Sequence, residues 1–246
     1  MSLAKRIIPV ILHKHGQMVK GRGFKSDRVV GIALQASIIH ASRHVDELIL
    51  LDVTATQEGR EPDYALIKKL ANDCFSPLTV GGGISKDEHV RGLLNSGADK
   101  VIIGTAAQDE ALISTLAQKY GSQCIAVAVD VRTNHVYLRS GSSYTGIHVN
   151  QYVRHMEKAG AGEIILTAID LDGTLKGYDL ALINRVAQTT RLPVVAAGGC
   201  GSYEDMRLAI EAGADAVAAG ALWSFTESTP RGASEYLAKH NIEVRL

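Results

Sequence analysis

The sequence predicts a (β/α)8 barrel built from two similar half-barrels, and three observations carry that reading. Short, nearly continuous apolar runs alternate with helix-period segments along the whole chain, the pattern of a parallel sheet covered by helices. Eight such strand–helix pairs fit within 246 residues, a length typical of this barrel. The chain also repeats itself. Leu192 to Ala221, LPVVAAGGCGSYEDMRLAIEAGADAVAAGA, restates Ser76 to Thr105, SPLTVGGGISKDEHVRGLLNSGADKVIIGT. Pro77, Gly82, Gly83, Glu88, Arg91, Gly97, Ala98, Asp99, Val101 and Gly104 recur 116 residues later as Pro193, Gly198, Gly199, Glu204, Arg207, Gly213, Ala214, Asp215, Val217 and Gly220. The same offset relates Glu47, Leu50, Ala65, Leu66 and Ile67 to Glu163, Leu166, Ala181, Leu182 and Ile183. Each half is then a four-unit block, and two such blocks close into an eightfold barrel. A doubly wound sheet is the alternative arrangement of the same units.

Taken in order, the strand candidates are Ile7–Leu12, Leu48–Val53, Leu78–Gly81, Val101–Ile103, Ile125–Asp130, Ile164–Ile169, Val194–Ala197 and Ala216–Ala219. Helical patterns lie near Val30–Ser42, Tyr64–Asn72, Asp87–Asn95, Glu110–Gln118, Asn150–Lys158, Leu180–Gln188, Tyr203–Glu211 and Ser234–Lys239. No linker interrupts them, so residues 1–246 read as one domain.

Composition narrows the function classes. The chain is 46% hydrophobic, with 26 basic and 26 acidic residues, enough to bury a large core. Zero formal charge argues against a nucleic-acid backbone binder. Cys74, Cys124 and Cys200 have no CxxC spacing and read as packing residues, with Cys124 in a buried strand. No run has membrane-spanning length and MSLAKRII lacks a signal-peptide core, so a cytoplasmic protein without membrane partners is expected. No metal or organic cofactor is called for.

In such a barrel, ligands meet the loops that follow the strands. Asp52, Thr54, Asp130, Asp170 and Asp172 stand at strand ends, where an unpaired buried carboxylate is too costly to serve packing alone. Capping of the next helix is the structural alternative. Gly82-Gly83 and Gly198-Gly199 follow the third and seventh strands; Gly104-Thr105 and Gly220-Ala221 follow the fourth and eighth. Glycines admit a ligand close to the backbone, and neighbouring N–H groups suit phosphate. Two equivalent pairs half a barrel apart suggest cups for both ends of a bisphosphorylated ligand. On the opposite face Arg6, Glu47, Lys100 and Glu163 each precede a strand. They predict a salt-bridge ring, which by itself serves stability.

The stretches LAKRII, HGQMVKG, DELILLDVTA, TVGGGI, GADKVIIGTAA, GSQCIAVAVD, GAGEIILTAIDLDGT and KGYD resemble the HisF family over essentially the whole chain. That family supplies the cyclase subunit of imidazole glycerol phosphate synthase in histidine biosynthesis. The resemblance implies a heterodimer with a HisH-like glutaminase and ammonia passage through the barrel. Arg6, Glu47, Lys100 and Glu163 match the family's ammonia gate, Thr79 its passage, and Asp99 its glutaminase interface. Asp130 matches one of two catalytic aspartates, and Lys20 the lysine that closes over the substrate. Gly83, Thr105, Asp172, Gly173 and Gly199 match phosphate-binding positions.

Three departures stand out. Leu12 occupies the place of the other catalytic aspartate and cannot exchange a proton. His13 is a poor substitute, because strand alternation turns it away from the axis if Leu12 points inward, and His15 lies farther along the loop. Gly104 replaces an asparagine and Ala221 a serine, leaving Gly104, Gly220 and Ala221 with backbone donors only. The first loop, GRGFKSDRVVG, is also altered. These changes resemble the WbuZ-like glycosyl-amidation branch of surface-polysaccharide synthesis. There, a HisF-like subunit supplies ammonia, with a third protein, to turn a sugar's acetamido group into an acetamidino group. The expected ligand is a small phosphorylated or sugar molecule. The alternatives are the histidine-pathway cyclase and a non-catalytic, glutaminase-activating scaffold that conducts ammonia. Trp223 and Phe225 are candidates to rim the mouth.

Overall fold

The computed structural model describes residues 4–43 and 45–246, less the side chains of Ser26 and Asp27; Leu3 of the opening LAKRII motif lies outside the described residues. Eight strands carry the fold: β1 (Arg6–Lys14), β2 (Leu48–Asp52), β3 (Leu78–Gly81), β4 (Lys100–Ile103), β5 (Ile125–Arg132), β6 (Glu163–Ala168), β7 (Val194–Ala197) and β8 (Ala216–Ala219). Each pairs in parallel with the next, and β8 pairs back onto β1, so the sheet closes. The helices outside it are α1 (Ala33–Ala41), α2 (Tyr64–Asp73), α3 (Asp87–Asn95), α4 (Glu110–Tyr120), α5 (Val149–Ala159), α6 (Leu180–Ala187), α7 (Tyr203–Glu211) and α8 (Pro230–Lys239). This is the (β/α)8 barrel.

The internal repeat holds at atomic detail. Asp63 accepts the Leu66 N–H at 2.9 Å to cap α2, and Asp179 accepts the Leu182 N–H at 2.9 Å to cap α6. Such a cap satisfies an N–H that has no partner inside the helix. Asp99 accepts the Leu78 N–H at 2.8 Å, and Asp215 accepts the Val194 N–H at 3.1 Å. Both tie one strand's start to the turn before the next strand.

Alternation along the strands divides the apolar residues into two layers. The outer layer lies between strands and helices and includes Ile7, Ile11, Leu48, Leu50, Val127 and Leu166. The inner layer fills the barrel with Ile8, Ile49, Ile102, Ile165 and Val195 plus Ala126, Ala216 and Ala218. The fully buried alanines of this layer come from β5 and β8.

The structure corrects some details. Val30–Ile32, assigned to the first helix, belongs to an extended strand, Lys25–Ile32, paired with Gln17–Arg22 as a hairpin after β1. The β-branched Val29, Val30 and Ile32 suit extended backbone, and α1 starts only at Ala33. A second hairpin, His135–Leu138 with Ser143–His148, extends β5 above the barrel. Cys124 lies in a 3-10 turn before β5 and is only half-buried, whereas Cys74 and Cys200 are buried. Among the described residues, no helix is long and apolar enough to cross a membrane.

Candidate functional site

The N-terminal face of the barrel carries the charged ring. Arg6 donates to both Glu47 and Glu163, and Lys100 Nζ lies 3.3 Å from Glu47 and 2.6 Å from Glu163. The four side chains alternate in sign around the opening. Thr79 Oγ1 donates to Glu47 Oε1 at 2.5 Å, which places Thr79 beside the ring. Glu47 and Glu163 are buried, 4% and 5% exposed, so each depends on its cations. Burial opposes the Arg6 charge, but Glu163 and Glu47 outweigh it and hold the guanidinium above its ordinary range. The inner apolar layer lies directly above.

At the other end is a cavity of about 250 Å³. Its floor is the top of that layer, Ile49, Ile102 and Ile165; its wall includes Val10, Leu12, Ala128, Asp130, Thr167 and Ala197. Sheet register explains the set. Inward positions alternate along each strand, so Val10 and Leu12 on β1 face the axis with Ala128 and Asp130 on β5.

Asp130 is the cavity's central titratable group. Burial pushes its carboxyl up to about 7, against a hydrogen bond from Thr167, and Asp172 raises it further. Lys20 Nζ donates to Val10 O at 3.2 Å. Burial lowers the Lys20 ammonium to about 8, with Asp172 opposing. Asp172 is itself raised by burial, countered by Lys20 and by the N–H groups of Phe24 and Gly173. Gly220 makes room for this lysine: a Cβ there would meet Lys20 Nζ at 2.6 Å.

Leu12 lines the cavity with no carboxylate in its place. His13 points the other way, as alternation requires, and is 3% exposed rather than at the surface. Burial lowers its pKa; the Gly16 N–H approaches its Nδ1 at 3.4 Å. His15 is at the rim, 3.2 Å from Glu58. Neither histidine lines the cavity.

Gly83, Gly104, Thr105, Asp172, Gly173, Gly220 and Ala221 all line the cavity. Gly199 does not. It has φ +107°, and a Cβ there would lie 2.1 Å from Gly177 O, so its hydrogen serves loop packing behind Gly198. The Gly83 N–H is also engaged, approaching Thr56 Oγ1 at 3.3 Å.

Among the other candidates, Asp52 takes the structural role. It accepts the Thr54 and Ala55 N–H groups at 3.0 Å and binds Arg60 at 3.1 Å. Asp170 pairs with Arg132 at 2.7 Å on the exposed rim. Trp223 packs against the outer core, and Phe225 lies under the Arg28 guanidinium; neither lines the cavity. Sequence reasoning missed Thr56 and the second hairpin's Tyr137, Leu138, Arg139 and Ser140, all cavity-lining. The available signal was RSGSS between two alternating runs, which marks a hairpin turn.

A family model described as "Histidine biosynthesis protein" matches residues 6–228. The chain is 42% identical over 250 residues to "Imidazole glycerol phosphate synthase subunit HisF" of Dictyoglomus thermophilum, covering 99% of each chain. It is 44% identical over 251 residues to the protein of that name from Dictyoglomus turgidum, again covering 99% of each. Whole-length similarity on a closed barrel with the repeat intact makes this chain a member of the HisF family.

Proposed function

We propose that the chain is the ammonia-accepting synthase subunit of a glutamine amidotransferase. In this reading a HisH-like glutaminase docks on the charged-ring face. Ammonia enters past Arg6, Glu47, Lys100 and Glu163, crosses the apolar interior and emerges beside Asp130. The inner layer supports the reading physically. Neutral ammonia passes an apolar interior at far lower cost than ammonium, whose desolvation there is prohibitive.

The acceptor reaction turns on one observation: Leu12 faces the same cavity as Asp130. A carboxyl poised near neutrality both accepts and donates protons, but a two-carboxylate mechanism needs a second group that leucine does not supply. The geometry therefore favours delivery of ammonia to another acceptor. With the glycosyl-amidation resemblance, that acceptor is a sugar acetamido group handled with a third protein. The names of the two relatives favour the second reading, the histidine-pathway cyclase, with Asp130 as acid–base and Lys20 over the substrate.

The two separate on one assay. Purified protein is given the bisphosphorylated imidazole-pathway substrate and ammonium, and product is followed for the unaltered chain and for Leu12→Asp. The expected result is no turnover by the unaltered chain and measurable turnover once the carboxylate is restored. Robust cyclisation with leucine in place would overturn the amidation reading in favour of the cyclase.

A further inference from the structure

The second hairpin and the end of β5 have two unlike faces. Val131 and Val136 point one way and are buried in the outer core. The opposite face is aromatic and continues the face of Asp130. In the antiparallel register Asp130 stands opposite Tyr137, Arg132 opposite His135, and Tyr137 opposite Tyr144. Opposed residues project to the same side of a sheet, and alternate residues along a strand share it. Tyr137 accordingly lines the cavity with Asp130. From it a continuous strip of rings runs outward. Ring centroids are 5.3 Å apart for Tyr137 and Tyr144, 5.5 Å for Tyr144 and His135, and 5.9 Å for His135 and His148. Cross-strand ring pairs stabilise a hairpin, but that purpose requires neither contact with the cavity nor a tyrosine left in water. Tyr144 is 59% exposed.

The polar groups of the strip narrow what it can hold. Its guanidinium is already paired: Arg132 lies over the Tyr137 ring at 5.1 Å and binds Asp170 at 2.7 Å. His135 Nδ1 donates to Thr133 O at 2.9 Å, so the Nε2 of the neutral ring is an acceptor. His148 Nδ1 accepts the Asn150 N–H at 3.2 Å, so its Nε2 carries the proton and is a donor. The Tyr144 hydroxyl has no hydrogen bond among the described residues. Neighbouring rings are tilted by 52°, 61° and 79°, so no two of them form a parallel slot for a planar base. The strip offers single ring faces flanked by a donor, an acceptor and a hydroxyl. A saturated sugar ring matches that set: its C–H groups lie on an aromatic face while its hydroxyls reach the polar edges.

We propose that this strip is a subsite for the sugar ring of the ammonia acceptor. The ring rests on Tyr144 and Tyr137, and its acetamido substituent points along the Asp130 face into the cavity. The inference rests on the reading of the chain as a subunit that serves sugar amidation, and it adds where that sugar lies.

The test is a residue-resolved NMR titration of the full chain with N-acetylglucosamine, with glucose and adenosine in parallel arms. N-Acetylglucosamine is expected to shift the Tyr137, Tyr144 and His148 amides together with that of Asp130. Glucose, which lacks the acetamido group, is expected to shift the hairpin alone. Tyr144→Ala alters an exposed side chain and keeps the fold; it is expected to weaken the hairpin response about fivefold, and Tyr144→Phe to retain most of it. Unaltered affinity in Tyr144→Ala would overturn the subsite. Shifts confined to cavity amides such as Asp130 and Gly104 would also overturn it, while leaving the sugar-acceptor reading standing. Shifts in neither place would overturn both. A stronger hairpin response to adenosine than to N-acetylglucosamine would overturn the sugar assignment, and a glucose response at Asp130 equal to that of N-acetylglucosamine would overturn the placing of the acetamido group.

Discussion

Burial is the main cause that pushes the Asp130 carboxyl up to about 7. The same burial carries a stability cost with a definite sign. In the unfolded chain an aspartate ionises near pH 4, so the cost is absent below that pH. It grows as pH rises towards 7 and is fully present above it, at about 1.4 kcal/mol per pKa unit. Asp130→Asn removes the titration. The variant is therefore expected to melt above the unaltered chain at pH 8, with the difference shrinking as pH falls towards 4. Melting curves across that range check it, and a difference independent of pH would refute the assignment. Leu12 matters at this scale too, because its apolar side chain adds to the low-dielectric wall that Asp130 shares.

At the level of elements, glycines in turns after different strands serve unlike purposes. Gly198 and Gly199 have φ +84° and +107°, a region that disfavours any side chain. A Cβ on Gly199 would also press into Gly177 O at 2.1 Å. Gly104 has negative φ, −99°, and open space around it. Gly199→Ala is accordingly expected to destabilise the fold by about 2 kcal/mol or more, whereas Gly104→Ala stays within about 0.5 kcal/mol. Denaturant unfolding of the two variants makes the comparison. Equal losses would show that the crowding at Gly199 is relieved by loop movement. The hairpins act at this scale as well: one brings Lys20 to Val10 O and the other brings Arg139 to Thr105.

Across the whole molecule, the barrel joins two faces of opposite character. Four alternating charges guard one end, a mixed cavity forms the other, and isoleucine and alanine side chains lie between. Lys100 bridges both buried glutamates, so its role is structural and, in the proposed function, directional. Lys100→Met leaves Glu47 and Glu163 to share Arg6 alone. A loss of about 3 kcal/mol is expected from that excess buried charge, read by denaturant unfolding. In the proposed complex, a HisH-like glutaminase bound to this variant is expected to hydrolyse glutamine without matching product formation. Retained coupling in this variant and in Glu163→Gln would leave the ring as a purely structural clamp.

The architecture was legible because its causes are local and repeated. Apolar runs set the eight strands, and the 116-residue repeat chose the closed barrel over the open sheet. Placing Arg6, Glu47, Lys100 and Glu163 before their strands was enough to foresee a ring, since strand starts of a barrel share one face. Asp130 and Leu12 were paired through the HisF resemblance, and alternation then foresaw that His13 turns away from the axis. Other features were not legible, because they depend on partners far away in the chain. Asp52 read equally as a site residue or a helix cap until Arg60 and two backbone N–H groups claimed it. At Gly199 the close approach of Gly177 O, which excludes any side chain there, could not be read from the glycine itself. The sequence by itself determined the barrel and its two faces, consequences of periodicity and position. Only the tertiary structure decided which polar groups remain unspent for a ligand, because a hydrogen bond is a fact about neighbours in space.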